Sequence, residues 1–238
     1  MTHDGAVQQA VDAYQEGRYE EALGLVQELF ERADRSHFIT MFTWSQLIEH
    51  HAPARDALVL KREAQVRLLL QGDVTFQMRD GRWPRSRFSV IHEINDMLND
   101  SRATYELFLQ LLETQPEQAD NESYLALPAI VAAGDYTLAE RYLRNPLERL
   151  DELNQTSIRF PLFPPAGQAP RLAAELSNYV NSLSLCLNVL LGRGQIAEAE
   201  SLRQTALAGL LDDKLRALAV RQLADPSTIS REVSARIE

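Results

Sequence analysis

Three histidines lie beside carboxylates. His50 and His51 follow Glu49, and His92 precedes Glu93 and Asp96. Such groups bind a metal ion or move a proton when their spacing lets them converge. Here it does not. Neighbouring residues on a helix diverge by about 100°, so His50 and His51 do not easily share an ion. His92 has no second His at helical spacing. The chain holds no His-x-x-x-His, no Cys-x-x-Cys and no Gly-rich phosphate loop, and no nucleophile motif stands out. These residues predict no catalytic centre, no metal and no cofactor, and the chain is expected not to be an enzyme.

Two other groups are suited to binding. Arg79, Arg82, Arg85 and Arg87 surround Trp83, a local reversal of charge in an acidic chain. Arg beside Trp suits a phosphate, a carboxylate or a stacked base. The competing reading is that these arginines pair with acidic helix faces while Trp83 anchors the loop. The second group is Asn178, Asn181, Ser184 and Asn188, set among Leu176, Tyr179, Val180, Leu183, Leu185, Leu187, Val189 and Leu190. The last three polar residues are spaced three and four apart and so share one helical face. A helix apolar nearly all round is normally buried. Its amides therefore either bridge neighbouring helices internally or face outward, where Asn offers both a donor and an acceptor to a bound backbone.

The elements that position these residues are helices. Gly17-Arg18-Tyr19 is followed by Ala22, Gly134-Asp135-Tyr136 by Ala139, and Gly194-Gln195-Ile196 by Ala199. A Gly between two helical periods suits a positive-φ turn. The bulky residue two positions later is expected to wedge between the helices, and the Ala to let them approach. Apolar residues recur at three and four, and strand-like alternation is missing. The pattern gives about eleven helices, at 4–16, 19–34, 37–50, 54–71, 86–98, 101–114, 120–133, 136–151, 171–192, 195–211 and 213–224. Asp73, Asp80-Gly81 and Trp83-Pro84 mark a long loop. The stretch 152–170 carries Pro161, Pro164, Pro165 and Pro170, so it cannot be helical throughout. It reads as an insertion between hairpins within a single helical-repeat domain, 1–238. Its Ile158, Phe160, Leu162 and Phe163 are expected to fold back onto the array.

The runs Ala13-Tyr-Gln-Glu-Gly-Arg-Tyr-Glu-Glu-Ala-Leu, Ala133-Gly-Asp-Tyr-Thr-Leu-Ala-Glu and Arg193-Gly-Gln-Ile-Ala-Glu-Ala-Glu resemble the tetratricopeptide repeat. Between about 36 and 118 only Gly72-Asp-Val is a fragment of that pattern. The resemblance implies an all-α fold of antiparallel hairpins stacked as a right-handed superhelical array, with a concave face that binds peptides or proteins. Asn181, Ser184 and Asn188 sit 13, 10 and 6 residues before Gly194, positions that face the groove in that family. Asn121 and Tyr124 sit 13 and 10 before Gly134. The groove is therefore expected to carry Asn121, Tyr124, Asn178, Asn181, Ser184 and Asn188.

Composition narrows the partner. Lys and Arg total 24 against 34 Asp and Glu, a net charge of −10. Phosphate neutralisation needs a basic surface, so no nucleic acid is expected. Cys186 is the single cysteine, which rules out an internal disulfide and favours a reducing compartment. The first residues show no signal-peptide pattern. The most apolar stretch, 183–191, is too short to cross a bilayer. The expectation is a cytoplasmic protein–protein interaction module, a scaffold, adaptor or chaperone-like protein with a protein or peptide partner. Self-association stays open. The alternatives are an immunity-type inhibitor of a basic partner, and an enzyme or small-ligand sensor with a pocket between repeats.

Overall fold

The computed structural model describes residues 3–32, 37–76, 84–165 and 167–236. Among them are thirteen α-helices and one two-stranded ribbon, so the fold is all-α. The chain divides into two compact units, 1–129 and 130–238, where the sequence predicts one continuous domain. Each unit has its own core.

The first unit contains α1 (His3–Gln15), α2 (Tyr19–Arg32), α3 (His37–His50), α4 (Ala52–Leu70), α5 (Arg87–Leu98), α6 (Ser101–Thr114) and most of α7 (Pro116–Ala132). From α1 to α6 each helix packs on the next, α1 also meets α3, and α4 also meets α6. Phe30, Trp44, Leu47 and Leu58 lie fully buried at the centre. Trp44 brings a polar N–H into that core and satisfies it by donating to the Ala54 carbonyl at 2.9 Å. Between α4 and α5, Thr75–Phe76 pairs antiparallel with Arg85–Ser86.

The second unit holds α8 (Tyr136–Glu140), a 3-10 turn at Pro146–Arg149, α9 (Leu150–Arg159), α10 (Arg171–Gly192), α11 (Ile196–Ala208), α12 (Asp213–Ala224) and α13 (Thr228–Ser234). Helix α10 is its hub and packs on all the others. Its buried face comprises Leu172, Ala173, Leu176, Tyr179, Val180, Leu183, Cys186 and Val189. Burial raises the Tyr179 hydroxyl to about 12, and that hydroxyl donates to the Ala206 carbonyl at 3.0 Å.

The three glycine signatures are turns. Gly17, Gly134 and Gly194 have φ of 76°, 77° and 77°. In each, the next residue donates to the carbonyl five positions back: Arg18 to Ala13, Asp135 to Ile130 and Gln195 to Leu190. This is the Schellman closure, which satisfies helix-end carbonyls. Ala22, Ala139 and Ala199 are buried, as close helix approach requires. Tyr19 and Tyr136 are half-buried. A Cβ on Gly192 would overlap the Tyr136 ring, so that ring lies directly on α10. Ile196 departs from the expectation. It is 68% exposed and is not a wedge. Tyr136 rests on α10 beside Gly192, whereas the Ile196 side chain is left to solvent.

Two boundaries differ from the predicted pattern for physical reasons. The predicted helix 136–151 breaks after Glu140, because Pro146 lacks an N–H and its ring excludes a helical turn before it. Asn145 instead caps a new start by accepting from the Leu147 N–H at 3.0 Å. The predicted insertion 152–170 begins inside α9, and its irregular described residues are 160–165 and 167–170. Leu162 and Phe163 pack on the core as expected, while Ile158 remains 77% exposed.

Candidate functional site

The polar stripe of α10 faces outward. Asn178, Asn181 and Asn188 are exposed and Ser184 is half-buried. Among the described residues none hydrogen-bonds the three Asn side chains. The opposite side of α10 forms the core, so the helix carries a buried apolar face and a solvent-facing amide face. Asn121 and Tyr124 on α7 are also exposed, Tyr124 by 63%. They belong to the first unit, and the α10 residues to the second.

The arginine cluster follows the pairing reading at the positions that can be described. Arg79, Arg82 and Trp83 lie outside the described residues. Arg87 is buried, and each nitrogen of its guanidinium donates at least one hydrogen bond. It donates to the Asp73 carboxylate at 2.6 Å and to the carbonyls of Asp73 and Thr75 at 2.7 and 2.8 Å. It also donates to Gln65. The hydrogen bond from Arg87 holds the Asp73 carboxyl below its ordinary range. Arg87 thereby ties the end of α4 to the start of α5, with four of its donors spent inside the protein. Arg85 donates to Glu93 at 2.8 Å.

Glu93 is the centre of a cluster with no local sequence signal. His37, 56 residues away and buried, donates from Nε2 to the same Glu93 oxygen at 3.1 Å. The His37 ring lies 6.0 Å from Phe30 and 5.8 Å from Phe76 between centroids. Burial acts to raise the Glu93 carboxyl, but His37 and Arg85 outweigh it and hold it below its ordinary value. This is a structural ion-pair network.

Of the three histidines singled out by sequence, His50 and His51 both lie against the Tyr19 ring, and His92 pairs within α5. His50 stacks on Tyr19, with ring centroids 5.8 Å apart. His51 donates to Glu20 at 3.1 Å. His92 lies 3.4 Å from Asp96, one turn along α5. Among the described residues no three His, Cys, Asp or Glu side chains converge on a metal position. Cys186 is buried, which raises its thiol.

Two features escape the sequence reading. Helix α3 exposes Phe38 by 75%, Ile39 by 45% and Phe42 by 58%, an apolar patch on one side of a helix whose Trp44 and Leu47 are core. A helix this apolar all round gives no moment from which to separate its outer face from its inner one. Helices α4, α5 and α6 also leave an open cleft of about 390 Å³ lined by Arg62, Arg67, Asn95 and Gln110. Two of its polar groups are held internally: Arg62 donates to Asp100 at 2.7 Å, and Asn95 donates to Thr104 at 3.0 Å.

Compared with known proteins, the chain matches no family model, no curated protein and no solved structure. Among the described residues no helix is long and apolar enough to cross a membrane.

Proposed function

We propose that this chain is a protein–protein interaction module of tetratricopeptide-like design that docks a protein or extended peptide. One observation carries the reading: α10 presents Asn178, Asn181 and Asn188 to solvent without hydrogen-bond partners while its other side builds the core. Short amides fixed on a buried helix form a rigid set of donors and acceptors suited to a peptide backbone. No cofactor or metal enters this function. The partner is a polypeptide, and a cytoplasmic location suits a chain with a single buried thiol.

A photo-crosslinking residue at position 181, with exposed Ala208 on α11 as the control position, tests the reading in the native cell. The expected result is one recurrent polypeptide crosslinked from 181 and not from 208. Replacing Asn178 and Asn188 with Ala should then abolish that crosslink without lowering Tm. Crosslinks that are equal at both positions, or absent from both, would overturn it.

The charge distribution favours a second reading. Residues 1–129 carry 21 Asp and Glu against 12 Lys and Arg, while 130–238 carry 13 against 12. A net −9 on one unit suits a cationic partner, as an immunity-type inhibitor would need. Association with such a partner would slow steeply with added salt.

A further inference from the structure

The irregular segment after α9 does more than cover the core. Phe163, Pro164, Pro165 and Pro170 face Val233 of α13 across a cavity of about 320 Å³. That volume is at the small end for ligand sites. Its walls are apolar except for Gln168 and one guanidinium, Arg236.

Arg236 is fixed in place. Its Cζ lies 3.8 Å from the centroid of the Phe163 ring. Its Nη1 donates to the Glu232 carbonyl at 2.5 Å and lies 3.6 Å from a Glu232 carboxylate oxygen. Both contacts fall on Nη1, and Nε and Nη2 have no acceptor among the described residues. The other Glu232 oxygen is 2.5 Å from Arg221 Nη1. Among the described residues one carboxylate is thus shared by two guanidiniums, which leaves one positive charge at an apolar cavity. The surrounding unit, with 13 acidic and 12 basic residues, is close to neutral and does little to repel an anion.

We propose that this cavity binds a small amphipathic monoanion: an aromatic or short aliphatic body bearing one carboxylate or sulfonate. The body lies between Phe163, the prolines and Val233, and the anionic group takes the open edge of Arg236. Planar, paired donors on a guanidinium suit such an oxyanion. Arg221 does not line the cavity. It is a positioning residue that occupies Glu232 and keeps Arg236 from being neutralised. The proposal does not depend on peptide docking at α10.

The test uses the full chain carrying Phe38→Ser and Phe42→Ser, so that the α3 patch does not bind the probe. The probe is 8-anilinonaphthalene-1-sulfonate, compared with uncharged N-phenyl-1-naphthylamine, which shares its rings. Saturable one-to-one binding of the sulfonate, displaced by benzoate, is expected. Arg236→Gln should weaken the sulfonate by about tenfold, the loss of one charge-assisted pair. It should leave the neutral probe within about twofold. Arg221→Gln should weaken the sulfonate several-fold without touching the cavity. Equal losses of both probes on Arg236→Gln would assign Arg236 to holding the Phe163 wall and overturn the proposal. Unchanged sulfonate binding in that variant, or failure of benzoate to compete, would overturn it too.

Discussion

Glu93 and Glu122 are carboxylates in the same unit that respond oppositely to pH. Glu93 is held below its ordinary value by His37 and Arg85 against the opposing effect of burial. Folding therefore favours its ionised form. That stabilisation is fully present above the unfolded value and is lost as pH falls through the depressed folded value. Glu93→Gln should cost about 1–3 kcal/mol at neutral pH, because His37 and Arg85 lose a charged acceptor. The variant should also show a flatter loss of Tm on acidification. An unchanged acid limb would remove Glu93 from the account of acid sensitivity. Glu122 is 4% exposed, and burial raises its carboxyl despite hydrogen bonds from Gln118 and Ser86. Its folded value exceeds its unfolded one, so its contribution is favourable at low pH and is lost as pH rises through the raised value. Glu122→Gln keeps an acceptor for Gln118 and removes the buried charge. It should raise Tm at pH 8 and change it little at pH 4.

Helix ends show which elements are legible in the chain and which are not. Gly17, Gly134 and Gly194 announce their turns because positive φ needs a residue without a Cβ penalty. The same closure recurs at Gly72, where Asp73 donates to the Leu68 carbonyl at 3.0 Å. It recurs at Asn99, φ 55°, where Asp100 donates to Asn95 at 2.8 Å. The break at Asn99 falls between the predicted helices 86–98 and 101–114, although Asn marks the left-handed conformation less plainly than Gly does. The ribbon at Thr75–Phe76 is silent because two-residue strands have no periodicity. The break before Pro146 is missed: apolar periodicity carries the predicted helix through to 151, although a proline ten residues in argues against it. The α10 stripe was legible as one face, but its direction was not. Which side of an all-apolar helix meets solvent depends on neighbours such as α12 that are distant in sequence. The His37–Glu93 pair was illegible for the same reason. The α8–α10 contact gives a clean test of packing at this scale. Gly192→Ala should cost about 1–3 kcal/mol through overlap with the Tyr136 ring. In a Tyr136→Ala background the same change should cost little or nothing. Additive losses in that double-mutant cycle would mean the ring does not rest on Gly192.

At the scale of the whole chain, charge and core are distributed differently. Both units bury large apolar clusters, around Phe30, Trp44 and Leu58 in one and Leu176, Tyr179 and Leu218 in the other. Yet nine of the ten net negative charges fall on residues 1–129, with 21 acidic against 12 basic side chains. Several of those carboxylates lie exposed along α2: Glu20, Glu21, Glu28 and Glu31. Their partners are local or surface ones, such as Arg18 for Glu21 and Lys61 for Glu31, and exposed pairs contribute little, about 0–1 kcal/mol. Repulsion within that unit is therefore only partly offset. Salt should relieve it, because the screening length shrinks from about 30 Å at 0.01 M to about 8 Å at 0.15 M. The second unit has almost no net repulsion to relieve. Hydrogen exchange measured at 10 and 500 mM NaCl should show protection rising in α2, α3 and α4 and staying level in α10 and α12. Equal gains in both sets of helices would show that salt acts through apolar burial and not through charge. A gain confined to α2–α4 would show that the first unit gives up stability to keep a strongly negative surface, the kind of surface that a cationic partner would neutralise on docking.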